Sequence, residues 1–130
     1  MDDSSKPPYE INFSEMSNVV VVELVGNLAA REVARDQDYV RGMTSRLTEK
    51  GHRSFLVNME GVQAIGDGGI AILTWIYFGM RDVGGHLVLS GARPKVRKLL
   101  RVMNLESMFE FVDDTETGLR VLSRATRSSQ

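Results

Sequence analysis

Residues 55–73, FLVNMEGVQAIGDGGIAIL, decide the fold of this chain. The first half is an apolar, β-branched run typical of a strand that is buried on both faces. The second half passes through Gly66-Asp67-Gly68-Gly69 into an apolar helix. This order places the carboxylate of Asp67 where the first free backbone N–H groups of a helix point, a natural position for negative charge.

Strands alternate with helices along the rest of the chain, as its apolar periodicity shows. The predicted strands cover residues 9–13, 19–25, 54–59, 86–90 and a short piece at 108–112. The predicted helices cover residues 30–50, 68–83, 94–103 and 114–124. The pattern predicts an α/β domain over residues 9–124, with parallel strand pairs entered through an initial hairpin. We expect residues 1–8 to be a loose lead-in and residues 125–130 a frayed tail.

Composition narrows the class of protein. The 130 residues are 42% hydrophobic and 25% charged, which is ordinary for one globular domain. The formal net charge of −1 argues against nucleic-acid binding driven by electrostatics. Cysteine is absent, which excludes disulfides and thiol nucleophiles. No apolar stretch reaches the roughly 20 residues that cross a membrane, and no signal peptide begins the sequence, so we expect a cytoplasmic protein without membrane insertion.

Six short motifs occur in the order and spacing of one known family. They are Leu24-Val25-Gly26-Asn27-Leu28, residues 57–62 (VNMEGV), residues 66–70 (GDGGI), Arg81 with residues 84–87 (GGHL), residues 94–97 (PKVR), and residues 103–105 (MNL) followed by 109–111 (FEF). Together they resemble the STAS domain, the fold of bacterial anti-sigma factor antagonists, over residues 9–122. The resemblance implies a STAS-like mixed sheet of four to five strands with about four helices.

The same resemblance implies a non-enzymatic regulator that binds an anti-sigma factor of the serine kinase type during partner switching in transcription regulation. In the family, the segment matching residues 66–70 reads roughly Asp-Ser-Ser-Gly-Leu, and the partner kinase phosphorylates its first Ser. Here Gly66 stands in place of the Asp, Asp67 in place of that Ser, and Gly68 in place of the next hydroxyl residue. Ala29 likewise stands where the family usually has an Asp. The resemblance therefore implies that phosphorylation at residue 67 cannot switch this chain.

Several interpretations of Asp67 stay open. Asp is among the best N-cap residues, so its carboxylate could accept hydrogen bonds from N–H groups two or three residues further on. A second interpretation is an imitation of phosphoserine, which is incomplete because phosphoserine carries about −1.5 to −2 charge. A strict mimic would be locked in the non-binding state. A third interpretation is constitutive partner binding that tolerates the carboxylate, with regulation by other means.

The helix predicted over residues 68–83 has two different faces at about 100° per residue. The core side carries Ile70, Leu73, Ile76, Tyr77 and Met80. The outward side carries Asp67, Ala71, Trp75 and Phe78. We expect this outward side, with Gly66, Gly68 and Gly69 shaping the loop, to form the partner-binding and regulatory surface. The alternative is that another element of the fold covers the two aromatic side chains.

Other constellations carry less information. The helix after Pro94 has a stripe of Arg93, Arg97 and Arg101 with Lys95 and Lys98 nearby, which is typical of a solvated face but could also meet an acidic partner or a phosphate. Asp113-Asp114 is predicted to cap the last helix. No metal-ligand spacing, nucleophile or acid–base pair is evident, so we expect no enzyme, metal or cofactor.

Two rival functions stay open. One is a STAS-type subunit of a lipid or solute transport complex, and the other is a nucleotide or small-ligand sensor domain. The sequence does not name the sigma factor or the anti-sigma factor. It also leaves the oligomeric state open, a homodimer included.

Overall fold

The β-branched and apolar runs of the sequence form one mixed sheet of five strands in the order β1-β2-β3-β4-β5. The structure, a computed structural model, describes residues 7–128. The strands are β1 (Tyr9–Met16), β2 (Val19–Leu28), β3 (Ser54–Ile65), β4 (His86–Ser90) and β5 (Glu110–Val112). The helices are α1 (Gln37–Glu49), α2 (Asp67–Asp82), α3 (Pro94–Val102) and α4 (Thr115–Ser128). Two 3-10 turns cover Arg31–Asp36 and Glu106–Met108. The predicted fold class is confirmed.

The strand directions bring the ends of β2 and β3 together. β1 and β2 form the predicted antiparallel hairpin, in which Met16 pairs with Val19 around a tight turn at Ser17 (φ 56°). β2, β3, β4 and β5 then pair in parallel. Leu28 pairs with Ile65, so the two strands end side by side at the carboxyl edge of the sheet. The helix that follows β3 begins at this edge.

Helices cover both faces of the central strand, as the sequence predicts. On one face, Phe55 and Val57 of β3 pack with apolar residues of β2, α1 and α2 in the larger core. On the other face, Leu56 of β3 and Val88 of β4 pack with Leu122 of α4 in a smaller core. Side chains that alternate along β3 therefore belong to different cores.

The predicted helix over residues 30–50 is two elements rather than one. The 3-10 turn Arg31–Asp36 precedes α1, and the backbone leaves helical geometry at Asp36 (φ −93°, ψ 3°). The apolar stripe predicted from the seven-residue spacing of Val33, Val40 and Leu47 is nevertheless confirmed, because all three side chains are buried. Periodicity therefore identified the face that is buried and missed the break between the two elements.

Four other elements extend beyond their predicted ends. β1 continues past residue 13 to Met16, and β2 continues past residue 25 to Leu28. β3 continues past Met59 to Ile65, because the second half of the strand pairs with β2 through two register shifts. α4 continues to Ser128, through residues 125–128 of the predicted frayed tail. Residues 129–130, and residues 1–6 of the predicted lead-in, lie outside the described residues.

Candidate functional site

The candidate site lies where β3 passes into α2. The N–H of Gly66 donates to the carbonyl of Leu28, with 3.1 Å between nitrogen and oxygen. The first hydrogen bond of the helix follows, from the Ile70 N–H to the Gly66 carbonyl at 2.9 Å. A side chain on Gly66 would place its Cβ 3.1 Å from the Cα of Ala29. α2 therefore begins directly at the sheet edge, and its first-turn N–H groups have no partners within the helix.

Asp67 is the first residue of α2, and its side chain is exposed. Gly66 occupies the N-cap position with an extended backbone (φ −133°, ψ −161°). Within residues 7–128, the carboxylate of Asp67 accepts no hydrogen bond and forms no ion pair. The N-cap interpretation is therefore wrong, because the residue that turns the chain into the helix is the preceding glycine.

Asp114 shows what a capping aspartate does in this chain. Its Oδ1 accepts a hydrogen bond from the Thr117 N–H at 2.7 Å, at the start of α4. This hydrogen bond lowers the pKa of the Asp114 carboxyl below its usual value. The prediction that the 113–114 pair caps the last helix is confirmed. Asp67 has no comparable contact, so its negative charge is available at the surface.

Two glycines allow α2 to start so close to the sheet. A Cβ on Gly68 would lie 3.2 Å from the Cβ of Val33 in the 3-10 turn. A Cβ on Gly69 would lie 2.6 Å from Cγ1 of Ile65 and 3.0 Å from the Leu28 carbonyl oxygen. These separations are shorter than ordinary van der Waals contact between such atoms. The first turn of α2 therefore packs against its neighbours through backbone rather than through side chains.

Trp75 is only partly exposed, because α1 covers part of its ring. Its indole N–H donates to Oε1 of Gln37 at 3.2 Å, and the guanidinium of Arg41 lies 4.6 Å from the ring centroid. The sequence predicts that Trp75 lies on the outward side of α2, with coverage by another element of the fold as the alternative. In the structure, α1 is the element that covers part of the ring.

Phe78 and Ala71 complete the outward side of α2. Phe78 is 37% exposed, and the guanidinium of Arg81 lies 5.3 Å from its ring centroid. Ala71 is half-buried. At 1.5 Å of rise per residue, Trp75 lies about 12 Å and Phe78 about 16 Å along the helix from Asp67. The aromatic side chains are thus neighbours of one another, but they are two to three turns away from the acidic end of the helix.

Sequence reasoning missed a hydrogen bond that holds the 3-10 turn Arg31–Asp36 next to the start of α2. The hydroxyl of Tyr9 donates to Oδ2 of Asp36, which ties the start of β1 to the end of the 3-10 turn. Burial and this hydrogen bond raise the pKa of Tyr9 to about 12. The same 3-10 turn carries Val33, which contacts Gly68 across the start of α2. No local signal in the sequence joins Tyr9 to Asp36.

Residues 7–128 contain neither a metal-binding cluster nor a membrane-spanning helix. No group of three His, Asp or Glu side chains is arranged to hold a metal ion. No helix is both long enough and apolar enough to cross a membrane.

The fold and the site together define a mixed-sheet α/β domain whose central helix begins at an exposed acidic residue. A family model, described as STAS domain, matches residues 10–118. The chain therefore belongs to the STAS domain family, as its motifs predict. A search among curated protein sequences finds no match.

Solved structures with the same fold include anti-sigma factor antagonists. The unphosphorylated form of the antagonist SpoIIAA, which occurs in Bacillus, is 19% identical with a TM-score of 0.69, covering 89% of this chain and 97% of its own. A form of RsbS from Moorella thermoacetica is 17% identical with a TM-score of 0.75, covering 90% of this chain and 97% of its own. A sulfate transporter family protein from Wolinella succinogenes is 19% identical with a TM-score of 0.71, covering 97% and 96%. At these identities the likeness establishes the fold.

Proposed function

We propose that this chain is a non-enzymatic, cytoplasmic regulator of the anti-sigma factor antagonist type. Its partner is an anti-sigma factor of the serine kinase type, and the binding surface is the β3–α2 junction with the outward side of α2. The observation that carries the proposal is the exposed Asp67 carboxylate, which has no partner within the described residues and sits at the first position of α2. The family model over residues 10–118 and the antagonist structures support the choice of partner.

Asp67 makes the surface permanently acidic. Negative charge near the N-terminus of a helix interacts favourably with the helix dipole. It carries one charge, whereas a phosphoserine carries about −1.5 to −2, and it offers fewer acceptor oxygens. We therefore infer that the partner binds constitutively and tolerates this carboxylate, and that regulation does not act through residue 67.

Substitution of Asp67 separates this proposal from a locked phosphomimic. Purified chain would be titrated calorimetrically with purified anti-sigma factors and serine kinase-type proteins of the same genome. The wild type and Asp67→Ser should bind one of them with equal affinity. Asp67→Lys should bind about tenfold more weakly, because the interface has to accommodate a longer side chain of the opposite charge. Binding by Asp67→Ser alone would establish the lock. No binding by either form would overturn the proposed function.

A second candidate function has one observation in its favour. The sulfate transporter family protein from Wolinella succinogenes shares the fold over 97% of this chain. In that role the chain would be the STAS-type subunit of a solute or lipid transport complex and would bind a transport ATPase. Stable co-purification with an ATPase, instead of with a kinase-type protein, would decide for it.

A further inference from the structure

The cations of α3 fall into two groups with different surroundings. Guanidinium nitrogens of Arg101 and Arg97 lie 3.2 and 3.3 Å from Oε2 of Glu106. The hydrogen bond from Arg101, together with the charge of Arg97, lowers the pKa of the Glu106 carboxyl. Arg93 donates to the carbonyl of Glu60 at 3.3 Å. The three arginines of the predicted stripe therefore form ion pairs and a hydrogen bond with other residues of the domain.

Lys95 and Lys98 form the second group. Both are exposed, and within residues 7–128 neither forms a hydrogen bond or an ion pair. Both line a groove of about 300 Å³ between the end of β3 and α3. The apolar lining of this α3 groove includes Ile65, Val96, Leu99 and Val102. Lys95 and Lys98, the α3 cations that form no contact with an acidic or carbonyl group within residues 7–128, thus lie beside an apolar groove.

The apolar surface extends beyond the α3 groove along the end of the helix. Val102, which lines the groove, is 70% exposed, and the next residue, Met103, is 41% exposed. α3 ends at Val102, so Met103 lies beyond the helix and at the surface. Neighbouring exposed apolar side chains of this size are typical of a surface that another molecule covers. A small ligand in the groove would leave much of this surface in water, whereas a protein segment would cover it.

The α3 groove adjoins the proposed binding surface. Ile65, which lines the groove, is two residues before Asp67 along the chain. We propose that the α3 groove docks an amphipathic helix of the protein partner that carries Asp or Glu beside its apolar residues. The apolar residues would fill the groove, and the carboxylates would pair with Lys95 and Lys98. This inference rests on the proposed function and deepens it by naming the chemistry of the partner segment.

Two designed peptides test the α3 groove without a known partner. One is an amphipathic helical peptide of about 18 residues built from Leu and Glu, and the other replaces each Glu with Lys. Each is titrated into the ¹⁵N-labelled 130-residue chain while amide chemical shifts are recorded. The Leu/Glu peptide should shift the amide signals of Ile65, Leu99 and Val102, and the Leu/Lys peptide should bind about tenfold more weakly.

Charge reversal supplies the matched comparison. The double variant Lys95→Glu with Lys98→Glu should reverse the preference and bind the Leu/Lys peptide more tightly. Both side chains are exposed, and a carboxylate in the first turn of α3 is favoured by the helix dipole, so the variant should fold. The control Arg31→Glu with Arg46→Glu changes the net charge equally at exposed positions elsewhere, and it should keep the wild-type preference.

Four outcomes of experiments without the protein partner would overturn the inference. The first two are the absence of peptide-induced shifts in the groove and equal binding of both peptides. The third is saturable binding of dodecanoate that displaces the Leu/Glu peptide. The fourth is a shift of the same amide signals with protein concentration when the chain is alone in solution. The last two would assign the groove to an anionic amphiphile or to a second copy of this chain. A kinase-type partner whose affinity ignores the lysine reversal but responds to Asp67→Lys would also overturn the inference, while leaving the proposed function intact.

Discussion

Tyr9 and Asp36 join two segments that are 27 residues apart in sequence, beside the edge of the sheet where α2 begins. Tyr9 is buried, and its hydroxyl donates to a carboxylate, so the protonated tyrosine is the form that the fold stabilises. Because the folded-state pKa is raised to about 12 from 10.0, this stabilisation is complete below pH 10 and is lost as the pH rises through the folded value. The contact thus holds the 3-10 turn in place throughout the physiological range.

Replacing Tyr9 with Phe should lower the free energy of unfolding by about 1–2 kcal/mol at pH 7, since a hydrogen bond to a charged group is lost. The loss of stability between pH 10 and 12 should disappear with it. Chemical denaturation across this pH range measures both effects. Tyr39→Phe is the control, because Tyr39 is 49% exposed and its ring contact with Phe13 is kept. An unchanged alkaline transition in Tyr9→Phe would contradict the assignment.

The residues of the site were predictable to different degrees. Asp67 and its glycines stand out because a charge between glycines at a strand–helix boundary is a local signal. The environment of Trp75 was not predictable, since Gln37 and Arg41 reach it only after α1 packs on α2. The same holds for the Tyr9 hydroxyl. A helical wheel shows which side of a helix faces outward, but it does not show what lies there.

At the scale of elements, the start of α2 depends on close backbone contact. Strand and helix types were predictable from periodicity, and β4 has its predicted bounds. The continuation of β3 beyond Met59 was not predictable. Glu60 and Gly61 interrupt the apolar run, and pairing with β2 holds the strand there. The break before α1 was missed for a similar reason, since Val33, on the turn side of the break, shares one buried stripe with α1. Tertiary pairing, which local sequence does not encode, set these boundaries.

Replacing Gly69 with Ala tests this close contact. The new methyl would lie 2.6 Å from Ile65 and 3.0 Å from the Leu28 carbonyl oxygen, and a backbone atom cannot move away cheaply. We expect a loss of about 1–3 kcal/mol in unfolding free energy, despite the better helix propensity of Ala. Gly42→Ala is the matched control: it lies within α1 with nothing within 4 Å, and it should gain about 0.5–1 kcal/mol. Equal effects of the two substitutions in thermal unfolding would refute the packing argument.

At the scale of the molecule, two cores share one sheet. Phe55 and Val57 belong to the larger core, and Leu56 between them belongs to the core beneath α4. Because both cores depend on β3, neither can lose its packing without disturbing the other. We therefore expect the domain to unfold in one cooperative transition.

Leu122→Ala should lower the unfolding free energy by about 3 kcal/mol, since Leu122 of α4 is fully buried against the sheet and its truncation leaves a cavity. The transition should stay single when it is followed both by circular dichroism and by Trp75 fluorescence. Val102→Ala removes apolar atoms at a site that is 70% exposed, so it should change stability by less than about 0.5 kcal/mol. Separate transitions for the two probes would show that α4 and its core unfold independently.

The central claim is that a protein partner covers the β3–α2 junction around Asp67. Hydrogen exchange of the full chain, alone and saturated with the kinase-type partner found by titration, tests it most directly. The claim predicts that bound partner slows amide exchange in residues 66–70 more than in any other segment. Slowed exchange confined to other segments, such as α4, with residues 66–70 unchanged, would contradict it.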